Sequence, residues 1–341
     1  MEKKKVAIIA IVVVILVGLF VWSRSGEPTG SKSNQGAQKS EAVKKITIAE
    51  FGELFIYAPL YIAQEKGFFT EQGLDVTVVP TGGDEKTFAA LLSGDAQFGV
   101  ADPTFTAISG DKGQPGKVIA SVVSRVPFWG VAKNQNIPVI NTPSDLKNYS
   151  VATFPAPSTA YVLQKKMFQD GGLKSNIKET AFGSLLASLE ANQVDIALEL
   201  EPNVSMAVNK GDKIVYSLAK QYPDFAFTGL TALPNYIKSD PEIVQKVVSA
   251  MQKATTYVRN NPVGAAEILT KKFPEVEKSV AENAIKNMTE MNIFPKDITM
   301  SKTSWDASIQ LRKEMGDIKG TAAYGDYVVT SFSEKAKELV K

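Results

Sequence analysis

Apolar and polar residues alternate over residues 45–50, and the alternation predicts a first strand. A loop rich in aromatics follows over residues 51–58. Pro59 suits the first turn of a helix, and Gly67 ends it. Leu74, Val76 and Val78 then alternate with Asp75 and Thr77 as a second strand. Thr81-Gly82-Gly83-Asp84 turns the chain into a helix through Leu92, with Asp84 the predicted N-cap. A strand over residues 97–101, Asp102-Pro103-Thr104, another helix and a strand over 118–124 complete the group. Repeated strand–helix alternation predicts a mostly parallel sheet covered on both faces.

A second group of the same kind begins near Thr142-Pro143-Ser144, with its first predicted strand at residues 149–153. Phe154-Pro155-Ala156-Pro157 breaks that strand, and Ser158 caps a helix to Asp170 that Gly171-Gly172 stops. A strand over 178–182, a helix, a further strand and a strand over 213–217 close the group. Residues 225–233 read as a strand that returns to the first group. Ser239-Asp240-Pro241-Glu242 fits a capping box, and a long helix runs from it to Asn260. The remainder is helical, with Pro274 and Pro295 between segments.

The two groups echo each other. Leu91-Leu92-Ser93-Gly94-Asp95-Ala96-Gln97-Phe98-Gly99-Val100 matches Leu189-Glu190-Ala191-Asn192-Gln193-Val194-Asp195-Ile196-Ala197-Leu198 in plan. Each is the end of a helix, a residue that tolerates positive φ (Gly94, Asn192) and a short buried strand. One sheet interrupted by another implies two crossovers, hence two α/β lobes around a hinged cleft. The expected layout is a membrane helix at 1–23, a linker at 24–43, lobe one at 44–135, lobe two at 136–222, and a return to lobe one with C-terminal helices at 223–341.

The membrane helix rests on Lys3-Lys4-Lys5 followed by an unbroken apolar run over residues 6–22. The run is longer than the core of a cleaved signal peptide, and Val21-Trp22-Ser23 is a poor cleavage site. It reads as an uncleaved signal anchor of a single-pass protein, lysines inside and the folded part on the extracytoplasmic side of the cell membrane. Residues 24–43 are polar and predict a flexible tether spanning roughly 25 Å.

Of the 341 residues, 44% are hydrophobic and 22% charged, ordinary values for a globular chain able to bury two cores. A net charge of +2 without a basic stripe beyond the N-terminus gives no reason to expect nucleic acid. Cysteine and histidine are both absent. That excludes disulfides, the usual zinc sites, a cysteine nucleophile, a Ser-His-Asp triad and a lipid-bearing cysteine. No metal and no cofactor is expected, and a monomer is.

Pro59-Leu60-Tyr61-Ile62-Ala63-Gln64-Glu65-Lys66-Gly67-Phe68-Phe69, then Glu71-Gln72-Gly73-Leu74-Asp75-Val76, resembles the nitrate/sulfonate/taurine and thiamine-pyrimidine type of solute-binding protein. The resemblance continues through Gly82-Gly83, the strand around Phe98, Ser144-Asp145-Leu146 and Leu200-Glu201-Pro202, over roughly residues 44–270. It implies a two-lobed type II periplasmic-binding-protein fold. It also implies service to an ABC importer whose permease and ATPase are separate chains.

Ligands in open α/β sheets bind beyond the carboxyl ends of strands, at the topological switch point. That rule selects residues 51–57, 81–84, 102–104, 124–125, 154–159, 183–184, 199–203 and 227–228. Ser158 and Thr159 offer hydroxyls at a helix N-terminus, suited to an oxyanion or carbonyl, or Ser158 is only a cap. Phe55 and Tyr57 stack on a ring, or pack the lobe; Phe51 has the weaker claim. Asp102 and Thr104 are at the cleft edge, or form a plain turn. Arg125 ends a strand with a fork suited to a sulfonate or carboxylate, or is a solvated surface residue. Glu199 binds an amine or ring N–H, or forms a salt bridge, and Glu201 is structural. Phe227 lies on the return strand at the cleft. Gly82-Gly83 lacks the spacing and lysine of a phosphate loop.

These readings converge on a tethered solute-binding subunit with no catalytic role. Its solute is a small organic one, sulfonate-, taurine- or nitrate-like, or pyrimidine- or vitamin-precursor-like. Plentiful loop aromatics and few cationic candidates favour a ring-bearing or amphiphilic solute. One alternative is a subunit that presents its ligand to a separate sensor. Another is a pyrimidine-precursor synthase, whose chemistry, as the resemblance implies, consumes a histidine this chain lacks.

Overall fold

The computed structural model describes residues 43–340. The expected membrane helix at 1–23, and the tether at 24–43 save Val43, lie outside the described residues. Among the described residues no helix is long and apolar enough to cross a membrane.

Ten strands form the frame. They are β1 (Lys44–Glu50), β2 (Leu74–Pro80), β3 (Phe98–Ala101), β4 (Lys117–Val123), β5 (Trp129–Ala132), β6 (Val151–Thr153), β7 (Ile177–Glu179), β8 (Ile196–Glu199), β9 (Lys213–Ser217) and β10 (Thr228–Ala232). The first sheet has the order β2-β1-β3-β10-β4, the second β7-β6-β8-β5-β9. In the first, β1 pairs in parallel with β2 and β3, while β10 runs antiparallel to β3 and β4. In the second, β6 pairs in parallel with β7 and β8, while β5 runs antiparallel to β8 and β9. Each sheet thus has one reversed strand, and each reversed strand is the first the chain lays down after a crossover.

The first crossover falls earlier than the sequence suggested. Trp129–Ala132, placed in the 44–135 part of lobe one, is strand β5 of the second sheet, with Trp129 opposite Glu199. The run is short and wholly buried, so it carries no alternation to betray it. The chain leaves the first sheet after Val123, enters the second at Trp129, leaves at Ser217 and re-enters the first at Thr228.

The echoed units form as their patterns predict. The helix Asp84–Ser93 ends at Gly94 with φ +83°, and the helix Leu185–Glu190 is followed by Asn192 with φ +53°. Each then feeds a buried strand, β3 or β8. The capping box at residues 239–242 does not form: Asp240 is the N-cap of the helix Pro241–Asn260 but makes no side-chain cap bond. Its Oδ2 is taken by Ser239 and its Oδ1 lies 3.8 Å from Lys44 Nζ.

That helix buries Val244, Val247, Val248, Met251, Ala254 and Val258, one apolar face at helical spacing, against Ala58–Glu65 and Ser331–Leu339. Ser301 caps the helix Lys302–Glu314 by accepting from Ser304 N at 3.1 Å. Trp305 fixes this helix to lobe one through a buried bond to Ala322 O, 3.0 Å. Its carboxyl-terminal turn then delivers Arg312 to the junction of the lobes.

Candidate functional site

A cavity lies where the lobes meet, at the carboxyl ends of the strands. Phe51, Leu54, Ile56, Tyr57, Asp84, Asp102, Phe227 and Thr228 come from the first lobe and its return strand. Phe154, Ser158, Thr159, Ala160 and Leu200 come from the second, and Phe128 from the crossover between them. Its free volume of about 30 Å³ holds a water or two in this closed arrangement, so an organic solute enters only as the lobes part.

The aromatic wall is continuous. Phe227 meets Phe128 at 5.4 Å between centroids, Phe128 meets Phe154 at 6.0 Å, and Phe154 meets Phe182 at 5.5 Å. Phe182 then reaches back across the cleft to Phe51 at 6.1 Å, edge to face.

The polar edge is organised by Asp102. Its Oδ1 accepts from Thr104 N at 2.8 Å and Thr104 Oγ1 at 2.6 Å. Its Oδ2 accepts from Thr159 Oγ1 of the second lobe at 2.6 Å and from Arg312 Nη2 at 2.7 Å. Arg312, 1% exposed, also donates to Thr104 Oγ1 (3.2 Å), Thr159 Oγ1 (3.1 Å), Pro157 O (3.0 Å) and Asp317 Oδ2 (3.0 Å). One guanidinium therefore bonds to both lobes, in the planar fork geometry that only arginine supplies.

Asp84 is not the N-cap of its helix. Gly83 occupies that position, and Asp84 Oδ1 instead accepts from Asp102 N at 2.8 Å. Burial and the neighbouring Asp102 charge push the Asp84 carboxyl up to about 7, with Arg312 opposing. Tyr57, 2% exposed, sets its hydroxyl against Thr228, and burial raises its pKa well above that of a free phenol. Behind Tyr57, Glu50 is held by Tyr61 Oη at 2.8 Å and pushed up to about 7 by burial; its Oε1 has no partner.

Of the residues singled out from sequence, Tyr57, Asp102, Ser158, Thr159 and Phe227 line the cavity. Ser158 also caps its helix, accepting from Tyr161 N at 3.3 Å. Four others do not line it. Phe55 points the other way and packs on Phe273 at 4.9 Å, because Phe55–Tyr57 is a 3-10 turn whose successive side chains fan out around its axis, with Ile56 and Tyr57 toward the cavity. Thr104 lies beneath the cavity and positions Asp102 and Arg312. Glu199 is buried beside it, its Oε2 taken by Leu200 N and Asn203 Nδ2, each 3.2 Å, and burial pushes its carboxyl up to about 7. Arg125 opens onto a separate groove with Ser124, Asp224, Asn292 and Lys296. Sequence reasoning missed Phe128 and Arg312 altogether.

The frame of two five-stranded lobes, crossed twice and closed over a cavity at strand ends, is that of the type II periplasmic binding proteins. Residues 55–265 match the family described as NMT1/THI5 like, and the chain belongs to that family. YtlA of Bacillus subtilis, whose name describes it as a binding protein, is 25% identical over 329 residues, 87% of this chain and 91% of its own. The riboflavin-binding protein RibY of Chloroflexus aurantiacus is 21% identical over 286 residues, 81% of this chain and 80% of its own. The 4-amino-5-hydroxymethyl-2-methylpyrimidine phosphate synthase THI11 of Saccharomyces cerevisiae is 22% identical over 230 residues, 61% of this chain and 65% of its own. The ligand-binding component of an ABC-type import system from Staphylococcus aureus superposes with a TM-score of 0.70 at 16% identity, covering 86% of this chain and 99% of its own.

Proposed function

We propose that this chain is the solute-binding subunit of an ABC importer and catches a small ring-bearing organic solute between its lobes. The observation that carries the reading is the placement of the cavity: both lobes supply its walls, and bonds between the lobes form at its edge. A solute held there is sealed from solvent on closure and released on opening, which suits delivery to a permease. On this reading residues 6–22 anchor the chain in the cell membrane, and residues 24–43 tether the folded part within reach of the permease, with the ATPase a further separate chain.

A synthase reading finds little to work with. The cavity offers carboxylates, hydroxyls and phenyl rings, and the chain holds neither histidine nor cysteine. Presentation of a loaded lobe to a sensor would use the same capture and differ only in partner.

The test is capture without a presumed ligand. The full chain is exposed to a metabolite extract of the source cells, washed, and denatured, and the released small molecules are identified by mass spectrometry. The expected result is one solute at near one-to-one stoichiometry, whose uptake is lost when the gene is deleted. Uptake that is unchanged in the deletion strain overturns the importer reading.

A further inference from the structure

The charged groups on the cavity wall are carboxylates, and one of them, Asp84, is the residue expected from sequence as a helix cap. Asp84 and Asp102 are the charged residues that line it; no lysine or arginine does. Asp102 is saturated, with four donors on its two oxygens, and its charge is neutralised by Arg312. Arg312 in turn spends its five donors on protein acceptors and is walled off behind Asp102 and Thr159. Asp84 differs. Its Oδ1 accepts from Asp102 N, and its Oδ2 has no hydrogen-bond partner among the described residues. That free oxygen belongs to a carboxylate set among the rings of Phe51, Phe128, Phe154 and Phe227.

We propose that Asp84 is the specificity-determining residue of the cleft, and that the solute it selects is a planar ring bearing an amine or amidine N–H donor. This rests on the solute-binding reading above and narrows it. An N–H on the solute gives Asp84 Oδ2 the partner it lacks, in a setting where a charge-assisted bond is strong. The phenyl walls take the ring. A sulfonate, carboxylate or nitrate finds no cation on the wall and meets the Asp84 charge instead, so the anionic solutes that Arg125 was expected to hold are disfavoured here.

The experiment uses three probes of one shape with the full chain: benzamidine, benzyl alcohol and benzenesulfonate, followed by thermal shift and calorimetry. Benzamidine is expected to bind at least tenfold more tightly than benzyl alcohol, and benzenesulfonate to bind least. Asp84→Asn keeps the acceptor for Asp102 N and removes the charge, so it should cost benzamidine at least tenfold and benzyl alcohol, which is neutral, much less. A second readout needs no variant. The ionisable groups facing Asp84 are Asp102, Arg312 and Tyr57; burial raises the Tyr57 phenol, the Asp102 charge holds Arg312 in its cationic form, and benzamidine stays cationic throughout. With Asp84 near 7, benzamidine affinity should fall roughly tenfold from pH 8 to pH 6, because its proton must be displaced. Benzenesulfonate binding as tightly as benzamidine, or a flat pH profile together with no effect of Asp84→Asn, overturns the assignment while the importer reading stands. Failure of all three probes to bind also overturns the assignment, and the capture experiment above then judges the importer reading on its own.

Discussion

Thr159, on the first turn of a lobe-two helix, donates its hydroxyl to Asp102 at the end of a lobe-one strand, 2.6 Å away. The same hydroxyl accepts from Arg312 Nη2, which itself bonds to Asp102 at 2.7 Å. The three groups close a triangle across the cleft edge in which every member is satisfied. Such a network stabilises one arrangement of the lobes over others, since opening must leave buried polar groups without partners.

Arg312 is therefore expected to matter more than its place outside the matched family segment would suggest. Arg312→Met leaves Asp102 buried without its cation, a loss that typically costs about 3–5 kcal/mol. Arg312→Lys keeps the charge and loses the fork, and should fall between. Urea unfolding of the ligand-free chain measures both. Equal midpoints for Arg312→Met and the parent protein would refute the ion pair's role.

A second expectation concerns pH. Burial lifts Glu50 and Glu199 from 4.5 to about 7, and lifts Asp84 from 3.8 to about 7. A raised carboxylate holds its proton in the folded state over a range in which the unfolded chain has lost it. Its contribution is thus fully present below the unfolded value near 4, is lost as pH rises to about 7, and changes no further above that. For the fully buried Glu50 and Glu199 the shift corresponds to roughly 3 kcal/mol each, as an upper bound. With no histidine in the chain, no imidazole titrates in this window. The melting temperature should fall from pH 5 to pH 7.5, and Glu50→Gln should flatten the slope. A melting temperature that rises over that interval would contradict the assignment.

The parts of this picture that are local in sequence were legible in it. Gly94 and Asn192 mark helix ends because positive φ is a single-residue demand, and Ser158 marks a start because its cap bond spans three residues. Asp102 and Thr159 were reachable by the rule that ligands sit beyond strand ends. Arg312 was not, since it meets Asp102 across 210 positions of chain and nothing around it signals a partner. The direction of Phe55 was equally hidden. Which side of a turn faces the cleft depends on where the helix Pro262–Lys272, followed by Phe273 at its C-cap, docks, a long-range fact. Strand β5 escaped because a four-residue buried run has no period to read.

The N-terminal anchor has its own test. The described residues 43–340 hold both sheets and the helices that cover them, so a chain beginning near Ala42 should unfold cooperatively at the parent's melting temperature. The full chain should stay with membranes after an alkaline wash and keep its native N-terminus by mass. A mature N-terminus near Ser25 would show cleavage and remove the anchor.

The last expectation ties the edge network to motion. Among the contacts that hold the lobes together at the mouth of the cavity are the Thr159–Asp102–Arg312 triangle and the Phe51–Phe182 ring pair. Phe182 is 53% exposed, so truncating it leaves little cavity behind and perturbs the fold of its own lobe weakly. Thr159→Val is nearly isosteric and leaves the Asp102–Arg312 bond in place. Thr159→Val removes the two inter-lobe hydrogen bonds of that hydroxyl, and truncating Phe182 removes a ring contact; a lost buried hydrogen bond is worth about 1–3 kcal/mol, or roughly a five- to hundredfold shift toward open lobes. The ligand-free parent should therefore scatter X-rays as the more compact particle, with each variant showing a larger radius of gyration. The double variant should open no further than full opening allows, so the two effects become less than additive once either change has opened most of the population. Far-ultraviolet circular dichroism should stay constant across the series, because the lobes separate without unfolding. Identical scattering from the parent and the double variant would show that neither contact holds the cleft shut.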